Sequence, residues 1–239
     1  CNCPNINKLE EDLNRIGFEV ESIEKKGHSL SNIVIGKILS FEQHPDADRL
    51  RIAQVDIGKS TTQIVTAAEN VNAGDIIPVS LPGATLASGL KIKKSKLRGI
   101  ESNGMMCSAV ECGLTDDAEG VWVLPKNSIV GNDFIADGQL CDFILDVSVL
   151  PNRGDCLSIY GLARECQALY GKKEIELSSF SGTGDAKIKL TVDQSVCSFY
   201  QATKIANIDP LAETPITMQV RLYYSGMRLI SWLVDVTNY

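Results

Sequence analysis

The feature that most constrains the fold is a succession of short, apolar, β-like runs between Ile33 and about Asp137. Turn residues such as His44-Pro45-Asp46 and Pro82-Gly83 separate the runs. In chain order the runs are IVIGKILSF, RLRIAQVDI, TQIVTAA, IIPVSLP, GLKIKKSKLRG, GMMCSAV and VWVLP. Regularly spaced short strands over about a hundred residues favour a small closed barrel, and the OB fold is one compact form of it.

Helical patterns flank this barrel segment. Before it, apolar residues at i, i+4 and i+7 from Leu9 lead to Gly17 and predict a short amphipathic helix. After it, FILDVSVLPNRGDC predicts a strand and a turn, followed by a helix over 156–170 that Asp155 would cap. Because the two helices are alike in length and amphipathicity, we expect the two ends to pack together around an inserted barrel.

These patterns predict an α+β, mainly β, chain. An OB-fold β-barrel, residues 33–138, is inserted into a small α+β domain formed by 1–32 plus 139–178. The segment SSFSGTGD has the small-residue composition of a linker. Residues 186–239 predict the incomplete start of a further α+β domain, with two strands, AKIKLTVD and FYQATKIANI, and a helix that Thr214-Pro215 opens.

Composition argues against several classes of protein. The net charge of −7 argues against general nucleic-acid binding, so any RNA contact needs a local basic patch. The chain has no run of eighteen apolar residues and no signal-like start, and we therefore expect a cytoplasmic protein without membrane contact. Eight cysteines with no C-x-x-C and only two histidines predict reduced, mostly buried thiols and no metal site.

One basic cluster stands out in this acidic chain. The stretch KIKKSKLRG places Lys91, Lys93, Lys94, Lys96 and Arg98 within eight residues. If it forms a strand, alternate cations share one face and can follow a phosphate backbone. The alternative is an edge strand whose lysines only prevent aggregation.

Aromatic residues are scarce in the barrel segment, where Phe41, Trp122 and Phe134 are the only ones. Base stacking on an aromatic platform is therefore not the expected mode of binding. Recognition by shape and backbone charge fits a folded RNA better.

Two further motifs have competing interpretations. His44-Pro45-Asp46-Ala47-Asp48-Arg49 gathers an imidazole and two carboxylates, as in a metal site, but an ordered loop between two strands is the preferred interpretation. Gly58-Lys59-Ser60 resembles the end of a phosphate-binding loop, yet it lacks the earlier glycine and leads into a strand pattern. No arrangement of residues supports catalysis within the chain.

Several motifs together resemble a known family. HPDADRLRIAQVDIG and KIKKSKLRGIESNGMMCSAVECGL are similar to the tRNA-binding module shared by phenylalanine–tRNA ligase β subunits, some methionine–tRNA ligases and stand-alone tRNA-binding proteins. VLPNRGDCLSIYGLAREC and VDVTNY resemble the bacterial β subunit in particular. The match runs from about Leu9 to Tyr239, and because the chain starts at Cys1 we expect an N-terminal piece of a longer polypeptide.

The resemblance implies a tRNA-binding and assembly role without an active site in this chain. In the family, the α subunit attaches phenylalanine to tRNA(Phe), ATP and Mg²⁺ act elsewhere in the holoenzyme, and an α2β2 heterotetramer forms. Residues 186–239 would begin the editing-type (B3/B4-like) domain. No cofactor is expected here. The alternatives are a stand-alone OB-fold tRNA-binding protein, or a barrel that serves only as an assembly scaffold.

The family signature K-x-R-G-x-x-S-x-G-M also implies site residues. The positions expected to contact tRNA are Lys91, Lys93, Lys94, Lys96, Arg98, Ser102, Met105 and Arg49. The positions expected to shape the loops are His44, Pro45, Asp48, Gly99 and Gly104. One departure is that many β subunits have a Cys-Gly pair before the Ala-x-Asn element, where this chain has Thr66-Ala67 before Ala68-Glu69-Asn70, so no contact by that loop follows from the resemblance.

Overall fold

The structure is a computed structural model that describes residues 5–115, 120–171 and 188–239. Five α-helices, nine strands and one 3-10 turn form within these ranges. They are α1 Ile6–Arg15, β1 Glu19–Lys26, β2 Ser31–Gln43, β3 Arg51–Asp56, β4 Thr61–Thr66, β5 Ile76–Thr85, β6 Ser95–Leu97, β7 Ile100–Ser102, β8 Met105–Met106, α2 Phe134–Asp137, β9 Asp142–Ser148, the 3-10 turn Gly154–Cys156, α3 Ile159–Tyr170, α4 Ile216–Tyr224 and α5 Trp232–Asn238. Among the described residues, no helix has the length and apolarity needed to cross a bilayer.

The chain divides into two compact units. One comprises residues 1–19 and 148–211, and the other comprises 20–147 and 212–239. The predicted domain boundaries stay predictions. The predicted linker, SSFSGTGD, lies outside the described residues.

The centre of the larger unit is a five-stranded antiparallel sheet in the order β4-β3-β2-β5-β8. The long strand β2 pairs with both β3 and β5, and its register with β3 shifts between Ile38 and Ser40, which leaves Leu39 unpaired. Such a bulge increases bending and twist, so the sheet curls into a half-barrel. The mixed, mainly β architecture and the OB-like barrel confirm the predicted fold class.

The barrel interior is filled by aliphatic side chains from neighbouring strands. Ile38, Val55, Ile64 and Ile77 are each fully buried there. Gly36 lies on β2 where a Cβ atom would stand 2.7 Å from Val79 Cγ2 and 2.9 Å from Val55 Cγ1. A glycine is therefore required for the two neighbouring strands to pack this closely around β2.

A second cluster joins the barrel base to helix α4. Phe134 and Leu140 are fully buried and pack in the same cluster as Val220 and Tyr224. The Tyr224 hydroxyl donates to the Leu140 carbonyl at 2.6 Å, and burial raises its pKa. Residues 212–239 thus share a core with the barrel. The predicted helix after Thr214-Pro215 forms as α4, but Pro215 itself occupies the N-cap position and Thr214 does not cap the helix.

The other unit contains α1 and α3. The predicted first helix forms as α1, with Asn5 as its N-cap, and Gly17 follows in the left-handed region at φ 94°. The Tyr170 hydroxyl donates to the Asp12 carboxylate at 3.1 Å. Although burial raises the pKa of Asp12, hydrogen bonds from Lys8 and Tyr170 outweigh this effect and lower it.

Two further predictions for local structure are wrong. Helix α3 begins at Ile159 and is capped by Ser158, whose Oγ accepts from the Gly161 amide at 3.0 Å; Asp155 instead lies in a 3-10 turn, where its carboxylate pairs with Arg153. The strands AKIKLTVD and FYQATKIANI do not form within residues 188–208, where the backbone is largely exposed and no partner strand pairs with it.

Candidate nucleic-acid interface

Residues 91–102, here called the basic arm, are mostly exposed, and Ile92 and Ser102 are the buried positions. Ile92 anchors it, because the Ile92 amide donates to Ala84 and its carbonyl accepts from Gly83, both at 2.8 Å. Beyond this anchor, β6 and β7 pair as a hairpin closed by a two-residue loop, Arg98-Gly99. Both loop residues have positive φ, 46° and 88°, as a type I′ turn requires. Arg98 is therefore held in a conformation that L-residues other than Asn and Asp rarely adopt.

The predicted basic strand is shorter than expected. Regular pairing with β7 begins at Ser95, and Lys91 makes only an isolated bridge to Thr85. The segment is nevertheless extended, so alternate residues face opposite ways. Lys91 and Lys93 line one cavity, and Lys94 lines another.

The cations of the arm differ in their partners. Lys96 lies 3.6 Å from the Glu101 carboxylate opposite it, and both side chains are about two-thirds exposed. Such an exposed pair is weak, so Lys96 remains available to a phosphate. Within the described residues, Lys91, Lys93 and Lys94 form no ion pair.

A buried histidine fixes the arm to the loop after β2. His44 is 2% exposed, and its Nδ1 accepts from the Asp46 amide at 3.1 Å. The ring is therefore the tautomer that carries a proton on Nε2, which donates to the Leu97 carbonyl at 3.1 Å. The Arg98 guanidinium adds a long contact, 3.4 Å, to the Asp46 carbonyl. His44 thus shapes both the loop and the turn end of the hairpin.

The loop interpretation of HPDADR agrees with the structure. Gln43 Nε2 donates to the carbonyls of Ala47 and Asp48, at 3.1 and 3.0 Å. No group of three metal-ligating side chains converges here among the described residues. Pro45, Asp48 and Arg49 are exposed on this loop, and the expected tRNA contact of Arg49 stays a prediction.

Ser102 and Gly104 close the barrel beside the arm. The Ser102 hydroxyl accepts from the Val65 amide at 3.1 Å and donates to the Gly104 carbonyl at 3.0 Å. Ser102 is only 2% exposed, so the structure gives it this closing role, which the sequence did not reveal. At Gly104, φ is 138° and a Cβ atom would lie 2.6 Å from the Ser80 carbonyl oxygen, so glycine is required.

Two grooves flank the arm, each with a cavity of about 600 Å³. The first, here called the arm groove, is lined by Lys91, Lys93, Leu97, Met105 and Glu111, among others. Thr66 and Ala67, the positions that depart from the family pattern, also line it. The second groove is mainly polar and is lined by residues including Gln54, Gln63, Lys94 and Asn103. The arm therefore offers cations to both grooves.

The three aromatic side chains of the barrel segment are already engaged. Phe134 is fully buried, and Trp122 packs edge-on against it with ring centroids 5.5 Å apart. The Arg51 guanidinium lies 4.0 Å from the centroid of the Phe41 ring and also donates to the Ala68 and Val71 carbonyls. Phe134 is thus buried, and Phe41 and Trp122 are only partly exposed and are already in contact with other side chains, which favours recognition by charge and shape over base stacking.

Other clusters of reactive side chains have a structural explanation. Asp155, Cys156 and Glu165 lie close enough to hold a metal ion, but the Arg153 guanidinium supplies the positive charge, at 3.1 Å from Asp155 and 2.7 Å from Glu165. Hydrogen bonding to Arg153 lowers the pKa of Asp155 to about 2. Burial raises the pKa of Cys156.

Cys107 and Cys112 are fully buried behind the arm groove. A hydrogen bond between their thiols lowers the pKa of Cys107, whereas the same contact raises the pKa of Cys112. Both are free thiols, as are Cys141, Cys156, Cys166 and Cys197 among the described residues.

A barrel of OB type with a basic arm over one side defines the class of nucleic-acid-binding barrels. Residues 33–133 match the family described as a putative tRNA-binding domain.

Phenylalanine–tRNA ligase β subunits match almost the whole chain. Those of Clostridium acetobutylicum, Neisseria meningitidis and Pseudomonas savastanoi are 40%, 41% and 42% identical to it over 98%, 97% and 97% of its length. The chain belongs to the phenylalanine–tRNA ligase β-subunit family, and it spans about 30% of the length of these relatives.

Two solved structures show limited likeness. The C-terminal domain of Plasmodium vivax p43 is 26% identical, with a TM-score of 0.26 over 32% of this chain and 44% of that one. A MetRS-related protein from Pyrococcus horikoshii is 16% identical, with a TM-score of 0.31 over 55% of this chain and 96% of that one. Scores this low do not define a shared fold.

Proposed function

We propose that this chain is the tRNA-binding and assembly region of a phenylalanine–tRNA ligase β subunit and that it is not itself catalytic. The observation that carries the proposal is the basic arm, a segment with five exposed cations, two of them on its hairpin, in a chain of net charge −7. Concentrating cations on one element attracts phosphates locally while the acidic remainder repels them.

The arm is suited to a folded RNA. Hydrogen bonds hold the arm at Ile92, where it begins, and at Leu97, beside its turn, so its cations project from a fixed backbone. Lys91, Lys93 and Lys94 distribute charge to both sides of the hairpin. Contacts to phosphates position an RNA without reading its sequence. In the whole enzyme, this region would orient tRNA(Phe) while the α subunit, using ATP and Mg²⁺ bound outside this chain, attaches phenylalanine.

The partners proposed for the chain are tRNA(Phe) and the α subunit of an α2β2 heterotetramer. The relatives' name supports a β subunit, and the family matched by residues 33–133 supports the tRNA contact. The location proposed for the chain is the cytoplasm. The stretch 186–239 would lead into the editing domain of the full-length subunit.

A second candidate function is that the barrel only supports assembly. Two observations favour it: the chain is acidic, and the barrel segment has three aromatic residues, each of which already contacts another side chain. The exposed pair Lys96–Glu101 is also typical of an edge strand whose charges only prevent aggregation.

One experiment distinguishes the two candidate functions. It uses the full-length β subunit with Lys91→Ala and Lys93→Ala, purified together with its α subunit. The tRNA-binding function predicts a several-fold rise in the KM for tRNA(Phe) with normal assembly on gel filtration. The scaffold function predicts reduced assembly and an unchanged KM. A change in neither quantity would contradict both.

A further inference from the structure

The arm groove has a composition that phosphate binding alone does not explain. Its cavity of about 600 Å³ lies within the range of small-ligand pockets, roughly 300–1,000 Å³. Leu97 and Met105 give it apolar walls, and Lys91 and Lys93 give it a cationic rim. Leu97 is 41% exposed although it is apolar, which leaves its side chain free to contact a ligand.

A carboxylate also lines this groove. Glu111 Oε2 accepts from both the amide and the hydroxyl of Ser108, which fixes the carboxylate in place. Glu111 Oε1 has no hydrogen bond among the described residues. A carboxylate repels phosphate but accepts strongly from N–H groups. The groove therefore favours a ligand that is anionic at one end and carries N–H donors at the other.

An unpaired nucleotide has this distribution of charge. Its phosphate matches the lysines, its flat base matches the apolar walls, and its Watson–Crick edge carries the donors. Guanine presents two adjacent donors, N1–H and N2–H₂, whereas adenine, cytosine and uracil each present a single donor group on that edge. RNA sequence is read in unpaired segments, because the bases of a helix are not accessible to side chains.

We propose that the arm groove binds one unpaired guanine nucleotide of the bound RNA. The base lies against Leu97 and Met105, its edge donates to Glu111, and its phosphate lies at Lys91 and Lys93. This inference rests on the proposed tRNA binding and adds a base-reading site to the phosphate contacts.

The test uses the full chain with ¹³C-methyl methionine and separate titrations with GMP, AMP, CMP and UMP. Met105 and Met106 both line the groove, whereas Met218 on helix α4 does not and reports on the rest of the fold. GMP is expected to bind about tenfold more tightly than the other three nucleotides, as expected from a pair of hydrogen bonds to one base. Equal binding of all four nucleotides, or no shift at Met105, would overturn the inference.

Variants identify the contacts. Glu111→Gln keeps the side-chain size but replaces one acceptor with a donor, and it is expected to abolish the preference for GMP. Because this change also touches Ser108, Leu97→Ser provides a second variant at an exposed side chain; it is expected to weaken GMP binding several-fold. Lys93→Ala is expected to weaken binding of all four nucleotides, and Lys94→Ala, which removes the same charge on the other groove, is not.

Titration of labelled tRNA(Phe) with the same proteins separates this inference from the proposed function. Weaker tRNA binding by Leu97→Ser and Glu111→Gln supports the guanine site. Unchanged tRNA binding by both variants overturns the guanine site and leaves the proposed function standing. If the unaltered chain binds no tRNA, both fail.

Discussion

His44 holds Leu97, a residue 53 positions away in the chain, by a 3.1 Å hydrogen bond from its Nε2 to the Leu97 carbonyl. The other ring nitrogen accepts from the Asp46 amide, so one imidazole connects the loop after β2 to the turn end of the hairpin in the basic arm. Because of this connection, the barrel as well as the hairpin determines where the cations lie.

Replacing His44 with alanine tests this connection. The Leu97 carbonyl and the Asp46 amide would lose their partner, and we expect the free energy of unfolding to fall by about 1–3 kcal/mol. Hydrogen exchange of the β6 and β7 amides should accelerate, and tRNA affinity should fall although no charge is removed. His28→Ala, at an exposed histidine before β2, is the control. Unchanged exchange in the hairpin would contradict the role given to His44.

The Arg98-Gly99 turn allows hairpin stability to be separated from charge. Arg98→Asn places the preferred residue at a positive φ and should stabilise the hairpin by up to about 1 kcal/mol. The same change removes a cation, so tRNA affinity should fall while the β6 and β7 amides become better protected. Arg98→Lys keeps the charge and should retain more of the affinity. Tighter tRNA binding by Arg98→Asn would show that hairpin order matters more than charge at this position.

Short strand runs separated by turn residues were sufficient to predict a barrel, because alternating burial and turn chemistry are local properties. The interpretation of HPDADR as a loop was also accessible, since a histidine, a proline and two aspartates favour turns. The hydrogen bond between His44 and Leu97 could not be predicted from the sequence, because it depends on how the sheet curls. The burial of Ser102 could not be predicted either, because the sequence gives it as a polar residue of the signature and only the closed barrel buries it.

The helix after PNRGD has two candidate N-cap residues in its sequence. Asp155 and Ser158 are both residue types that favour the N-cap position, and the sequence alone does not show which of the two caps the helix. The salt bridge to Arg153 occupies Asp155 and leaves the cap to Ser158. The β-like runs after residue 186 show the alternation of apolar and polar residues that is typical of strands. A strand also needs a partner strand, and these runs have none among the described residues.

Ser102 gives a prediction about barrel closure. Ser102→Ala would leave the buried Val65 amide without its acceptor, and we expect a loss of about 1–3 kcal/mol in the free energy of unfolding. Ser95 lies opposite Ser102 in the hairpin but is exposed, so Ser95→Ala is the matched control with little expected effect. Chemical denaturation of both variants measures the difference. Equal stability of the two would exclude a closing role for the Ser102 hydroxyl.

The Asp155–Arg153 pair predicts a pH dependence. The pKa of Asp155 is lowered from 3.8 to about 2 in the folded chain, so the folded form binds this proton less readily than the unfolded form. The stabilisation is present above pH 4 and is lost as the pH falls from about 4 to about 2. Thermal unfolding followed by circular dichroism should show a smaller loss of stability across this window for Asp155→Asn. Asp146→Asn, at an exposed position on β9, should keep the full loss. Parallel curves for Asp155→Asn and the unaltered chain would rule out the pair as the cause.

The central claim, that the basic arm binds tRNA through its phosphates, is tested most directly by the salt dependence of binding. Labelled tRNA(Phe) is titrated with the unaltered chain and with Lys91→Ala/Lys93→Ala, at about 50 and about 200 mM salt. We predict that the unaltered chain binds with strong salt dependence and that the double variant binds more weakly, with a slope of log affinity against log salt reduced by about 2. Equal slopes for the two proteins, or no binding by the unaltered chain at the lower salt concentration, would contradict the account.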